Sequence, residues 1–190
     1  MPSSPQQDIT IIFNLQVSLI SNGTYLDGDS ITAASDVGPG NCLIDLVAHR
    51  DFGLPYDEGG KIAAKGQINQ QLLNNLLDKI RTKRYPRADD KSFYYSLDEL
   101  KSDKPENLLA TLCELTTLCI SDFCHSFDMP GEILLHGGGT KNNFLMERLE
   151  KNIGSSFRLT DHLIPSKFVE SAAFAYLAYL KRGLLVEPRR

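Results

Sequence analysis

The sequence predicts a mixed α/β fold in which a three-strand antiparallel meander is followed by strand–helix units. Three observations carry this reading. β-Branched runs punctuated by turn residues occupy the stretch from Ile9 to Ser35. Apolar residues at helical spacing follow Asn41, Asn69 and Asp103. Beyond Pro130 short strand patterns alternate with helical ones, and that alternation requires parallel pairings covered by helices.

Taken in order, residues 1–7, with two Pro and two Ser, read as a disordered lead-in. Ile9–Leu15 is the first strand. Ser21-Asn22-Gly23 supplies turn chemistry before a strand at Thr24–Leu26, and Asp27-Gly28-Asp29 turns the chain into Ser30–Ser35. The Gly38-Pro39-Gly40 loop breaks the strand pattern, and Asn41 is placed to cap a helix carrying Leu43, Ile44, Leu46 and Val47. Helical stretches are expected over Tyr56–Lys65 and Asn69–Arg81, then a basic loop from Thr82 to Lys91. The longest helix starts near Asp103, which has capping-box spacing to Glu106, with Pro105 in the first turn. Leu108, Leu109, Leu112, Leu115, Leu118 and Phe123 form its apolar stripe. Glu132–His136 reads as a strand, Gly137–Gly139 as a sharp turn, Asn143–Asn152 as a helix and Phe157–Leu159 as a strand. Ser166 is expected to cap a last helix running to about Leu180, with Lys181, Arg182 and Gly183 as its stop.

Composition narrows the function. With 42% hydrophobic and 23% charged residues the 190-residue chain is globular rather than disordered. A net charge of −4, without a long basic run, lacks the footprint of a nucleic-acid binder. The apolar stretches Ile9–Phe13 and Ala172–Tyr179 fall short of the roughly 20 residues that span a bilayer, and no secretory pattern opens the chain, so no membrane contact and a cytoplasmic location are expected. Cys113, Cys119 and Cys124 fall in one helix, where about 16 Å of rise between the first and last forbids a bridge. Cysteines used as small core hydrophobes in a reducing compartment fit best. His49, His125, His136 and His162 show no metal-ligand spacing, and Glu147 and Arg148 read as a solvated helix face.

Two junctions carry chemistry. Glycines after a strand, in Leu134 to Asn142, bring backbone amides close to a flat or anionic ligand, and the following helix N-terminus favours negative charge. The same triplet also reads as a plain tight turn. Asp36-Val37-Gly38-Pro39-Gly40-Asn41 puts a carboxylate and an amide at a strand end, where α/β sheets place ligands. Its alternative is an Asp tying its own turn while Asn41 caps the helix. Asp45, one helical turn on, faces either the same cleft or solvent.

In their order along the chain, these segments resemble the C-terminal half of the anhydro-N-acetylmuramic acid kinases, of the actin, hexokinase and sugar-kinase superfamily. The anchors are Asn14 with Asn22 to Leu26, the Asp36–Asn41 loop with Leu43-Ile44-Asp45, Tyr56-Asp57 with Ala63 to Gly66, and Ala110 to Thr116. Gly137 to Asn142 with Leu145-Met146, Pro165-Ser166-Lys167 and Val169 to Ala178 complete them. The resemblance implies one lobe of an actin/hexokinase-like (ribonuclease H-like) sugar-kinase fold over residues 8–183, with a tail at 184–190. It implies ATP-dependent opening and O6 phosphorylation of 1,6-anhydro-N-acetylmuramic acid, with Mg²⁺, in peptidoglycan recycling. Carried over, Gly137, Gly138, Gly139 and Asn142 bed the adenosine and Asn14 lies on the phosphate-facing hairpin. Asp36 and Asn41 face the cleft between lobes, and Glu170 reaches toward the sugar or is an exposed first-turn residue favoured by the helix dipole.

The sequence also departs from that family. Asn14 is followed by Leu15 to Ile20 where paired glycines are the rule, and Lys91-Ser92-Phe93-Tyr94 is a degenerate echo of the Pro-Lys-Ser-Thr-Gly-Arg-Glu segment. The catalytic aspartate and the Gly-Thr-Ser/Met-Asp-Gly phosphate loop belong to a first lobe outside these residues. The expectation is a chain inactive by itself, with that first lobe as partner and a homodimer as a further state. The alternative is a non-catalytic nucleotide-binding or interaction module.

Overall fold

The computed structural model describes residues 9–15, 19–97, 100–101, 104–127 and 131–180. In β1 (Ile9–Asn14), Ile9, Ile11 and Phe13 are buried while Thr10, Ile12 and Asn14 on the other face are half-buried. β1 pairs antiparallel with β2 (Ser21–Asp27), and β2 with β3 (Ser30–Gly38). On its other side β1 pairs in parallel with β4 (Glu132–His136), and β4 with β5 (Arg158–Leu159), giving the order β3-β2-β1-β4-β5. The predicted meander and the predicted parallel additions therefore share one five-stranded sheet.

Six α-helices accompany the sheet among the described residues: α1 (Cys42–Phe52), α2 (Gln70–Ile80), α3 (Lys91–Tyr95), α4 (Pro105–His125), α5 (Asn143–Ile153) and α6 (Val169–Leu180). α4 packs against β2, β3, α1, α2 and α5, and is buried on nearly every side. By length and composition it is the one helix among the described residues able to cross a bilayer, and here it is the central core helix. The four cysteines are free thiols in the core.

Several expectations change. Ser21-Asn22-Gly23 is strand, not turn: a Cβ on Gly23 would lie 2.8 Å from the Phe13 ring and 2.9 Å from that of Phe123, so the glycine makes room for two aromatic rings. Residues 56–65 form two 3₁₀ turns, Glu58–Gly60 and Ala63–Lys65, rather than one helix. Gly59 and Gly60, at φ of 68° and 70°, break the helical path. Asp57 accepts the amides of Ile62 and Ala63, each at 2.9 Å, and so fixes the second turn.

The basic loop leads into the short α3, capped by Asp90 through the Ser92 amide. It is zipped to β3: Asp36 N–H donates to Arg87 O at 2.9 Å, and the Asp89 amide donates to the Asp36 carboxylate at 2.7 Å. Ser166 opens a 3₁₀ turn before α6, and its amide and hydroxyl donate to Asp161 instead of capping α6. Arg148 is not on a solvated face. It pairs through two bonds with the buried carboxylate of Glu114, joining α5 to α4. Asp103, the lead-in at 1–7, Lys181 to Gly183 and the tail at 184–190 lie outside the described residues.

Candidate functional site

β1, β3 and β4 all finish at the same end of the sheet, and their following loops meet there. β3 turns through Gly38-Pro39-Gly40 into α1, with Asn41 at the N-cap position. The Asn41 side chain makes no capping bond. Its Nδ2 instead donates to the Leu15 carbonyl at 3.3 Å. β4 turns through the glycine triplet into α5, and the Gly139 N–H donates to that same Leu15 carbonyl at 2.6 Å. One oxygen at the end of β1 thus ties the proline-containing corner to the glycine corner. The approach is tight enough that a Cβ on Gly139 would stand 2.4 Å from Asn41 Nδ2 and 2.8 Å from Leu15 O.

Between these corners and the Glu58–Gly60 turn lies a cavity of about 520 Å³. Asn41 and Asp45 line it from α1, and Gly138, Gly139 and Asn142 from the glycine corner. Lys61 and Lys141 bring two cations to its wall, with Asp57 and Glu58 beside them. Asn142 caps α5 by accepting the Leu145 amide at 2.9 Å. Beneath it the Cys113 sulfur is 4.0 Å from Asn142 Nδ2, and burial holds that thiol well above the ordinary range. The N-termini of α1 and α5 both open on this space, so their dipoles favour an anionic group there.

Of the sequence-derived site residues, the structure brings Asn41, Gly138, Gly139 and Asn142 to one cavity. Gly137 is buried just before the turn. Asn14 ends β1 beside Asn22 and His136, with a buried Oδ1 that has no hydrogen-bond partner among the described residues. Asp36 lies outside the cavity lining, its carboxylate engaged by the Asp89 amide. Glu170 is the second residue of α6, and its side chain lies outside the described residues. Sequence reading passed over Lys61 and Lys141. The available signal was position, since each follows a glycine-rich bend by one or two residues.

The sequence model of the anhydro-N-acetylmuramic acid kinase family matches residues 4–185. The chain belongs to this family. It is 32% identical over 188 residues to the anhydro-N-acetylmuramic acid kinase of Haemophilus influenzae, covering 88% of this chain and 49% of that protein. Against the enzyme of that name from Aliivibrio fischeri it is 35% identical over 176 residues, covering 87% and 48%. The chain therefore spans about half the length of the curated relatives it matches. Among solved structures it resembles the activator of the 2-hydroxyisocaproyl-CoA dehydratase from Clostridium difficile, with a TM-score of 0.54 at 13% identity over 98% of this chain and 66% of that one. That likeness concerns the fold, one lobe of the actin/hexokinase-like type, as the sequence predicts.

Proposed function

We propose that this chain is the second, nucleotide-binding lobe of a cytoplasmic anhydro-N-acetylmuramic acid kinase, with ATP lying over the glycine corner. The observation that supports it is the shared Leu15 carbonyl, which joins the Asn41 and Gly139 corners at the mouth of one cavity. In the proposed reaction the γ-phosphoryl group of ATP passes to O6 of 1,6-anhydro-N-acetylmuramic acid. Water adds at C1 as the bridge opens, leaving ADP and the 6-phosphate. Phosphoryl transfer of this kind rests on positioning and charge neutralisation.

The residues fit a nucleotide. Gly138, Gly139 and the head of α5, capped by Asn142, offer a surface that backbone lines closely, with the buried Gly137 leading into it, while Lys61 and Lys141 supply positive charge for phosphates. Asn14, whose buried Oδ1 has no partner among the described residues, is assigned to the phosphate side, and Asn41 and Glu170 to the sugar side. Asp36 is assigned to holding the 82–90 loop against that corner. Mg²⁺ fits less well. Asp57 uses both carboxylate oxygens on backbone amides, and the described residues contain no group of three candidate ligands, so no metal-dependent step is assigned here. The base for the attacking water is likewise assigned to the remaining half of the family's length.

Calorimetric titration of the chain with ADP and ATP tests this reading. Binding without turnover is expected. Absence of heat and of thermal shift with both nucleotides would overturn it.

A further inference from the structure

A second cavity, of about 610 Å³, lies between the end of α4 and the loop that follows α2. His125 on its wall is twelve residues along α4 from Cys113, about 18 Å of helical rise, so this space is separate from the one at the glycine corner. The chain carries a net charge of −4, yet Arg81, Lys83, Arg84 and Arg87 all line this one cavity. Two carboxylates answer three of them. Asp122 takes Arg81 through bonds of 2.7 and 2.9 Å, and Asp89 takes Lys83 at 3.1 Å and Arg87 at 3.0 Å. Arg84 has no hydrogen bond or ion pair among the described residues. The Arg87 side chain is 5% exposed, and its Nε makes no hydrogen bond among the described residues, Asp89 standing near it but outside hydrogen-bond geometry. Four cations against two carboxylates leave a local positive field that an anion would neutralise.

The wall is also preformed. Arg87 Nη1 donates to the Ile80 carbonyl at 3.0 Å, and the Tyr85 hydroxyl reaches the Val37 and Cys119 carbonyls at 3.3 Å each, so the bend that carries Arg84 is held at both ends. Ile80, Tyr85 and Phe127 make the lining apolar beneath the cations. The Tyr85 ring meets Phe123 edge-on at 5.1 Å, and Phe123 meets Phe127 at 5.1 Å, which fixes an aromatic floor. We propose that this cavity binds a small organic anion, its carboxylate or phosphate-ester head on Arg84 and a flat apolar body over Tyr85 and Phe127. A guanidinium forks to match either head, and the volume is that of a small-molecule site. The site is independent of any nucleotide at the glycine corner.

Titration of the chain with phenyl phosphate, benzoate, inorganic phosphate and benzylamine, by calorimetry and by saturation transfer to the ligand protons, tests the assignment. Phenyl phosphate or benzoate is expected to bind once per chain, and the tighter of the two tells a phosphate-ester ligand from a carboxylic one. Inorganic phosphate lacks the apolar body and benzylamine has the wrong charge, so both should bind about tenfold more weakly or worse. Arg84→Ala should weaken the tighter acid by about tenfold or more, with the thermal midpoint unchanged because Arg84 has no partner to lose among the described residues, and Arg84→Lys should recover part of the affinity. Lys141→Ala, at the glycine corner, should leave it as it was. No binding of either acid at millimolar concentration overturns the proposal, as does binding insensitive to Arg84→Ala or lost with Lys141→Ala. Inorganic phosphate or benzylamine bound as tightly as the acids overturns it too. ADP binding is read separately, so failure here and failure of the nucleotide reading give different results.

Discussion

Glu114 and Arg148 face each other across α4 and α5 with two parallel bonds, Nε to Oε2 at 2.6 Å and Nη2 to Oε1 at 2.7 Å. Glu114 sits on the core helix with little exposure, and its carboxylate holds the Arg148 guanidinium above its ordinary pKa. Because α5 carries the glycine corner at its head, this pair also steadies one wall of the cavity. Replacing Arg148→Met leaves a carboxylate among apolar neighbours and should cost about 2–4 kcal/mol in urea unfolding. The double variant with Glu114→Leu should recover most of it. Equal stability of the single and double variants would show that the pair does not matter.

Gly139→Ala tests the knot at Leu15. The added methyl group meets Asn41 and the Leu15 carbonyl, so one corner must move. A stability loss of about 1–3 kcal/mol is expected from the overpacking. ADP affinity should fall by about tenfold or more, equivalent to about 1.4 kcal/mol. Unchanged affinity, measured by calorimetry, would separate the knot from ligand binding.

Gly23→Ala addresses a different crowding. Its methyl group would press on Phe13 and Phe123, which already meet edge to face with centroids 5.7 Å apart. Thermal and urea unfolding should show a loss of about 1–3 kcal/mol, with nucleotide affinity retained. A neutral effect would restore the turn reading of Asn22-Gly23.

The buried thiols set an alkaline limit. Burial pushes Cys42, Cys119 and Cys124 up to about 12, and Cys113 further. In an unfolded chain a thiol ionises near about 8.5. Above that pH the unfolded state has fewer bound protons than the folded one, so stability declines as pH rises toward the folded values. Urea midpoints should hold between about pH 6 and 8 and fall progressively above about pH 9. Iodoacetamide at pH 8 should label the folded chain slowly and all four cysteines once it is unfolded.

Much of this was legible in the sequence because hydrophobic period reports element type directly. The β-branched run at Ile9–Leu15 and the stripe from Leu108 to Phe123 sit in the structure as strand and core helix. Misreadings arose where a local signal met a distant demand. Asn22-Gly23 looks like hairpin chemistry, but the glycine answers to the ring of Phe13 on β1 and that of Phe123 on α4 rather than to its chain neighbours. Arg148 looks like surface charge until α4 supplies Glu114. At the site, the two corners were legible as glycine-rich strand ends. Their joining was not, because it passes through a backbone oxygen, and no side-chain pattern encodes that.

The place of β1 in the sheet bears on how a ribosome delivers this protein. Its parallel neighbour, β4, is about 120 residues further on, so at about 5–20 residues per second the meander emerges many seconds before its inner edge is paired. Through that interval Ile9 to Asn14 present open amide and carbonyl groups to any passing strand, a hazard that folding helpers exist to shield. Slow translation before Glu132 should therefore lower soluble yield, and co-expressed chaperones should raise it.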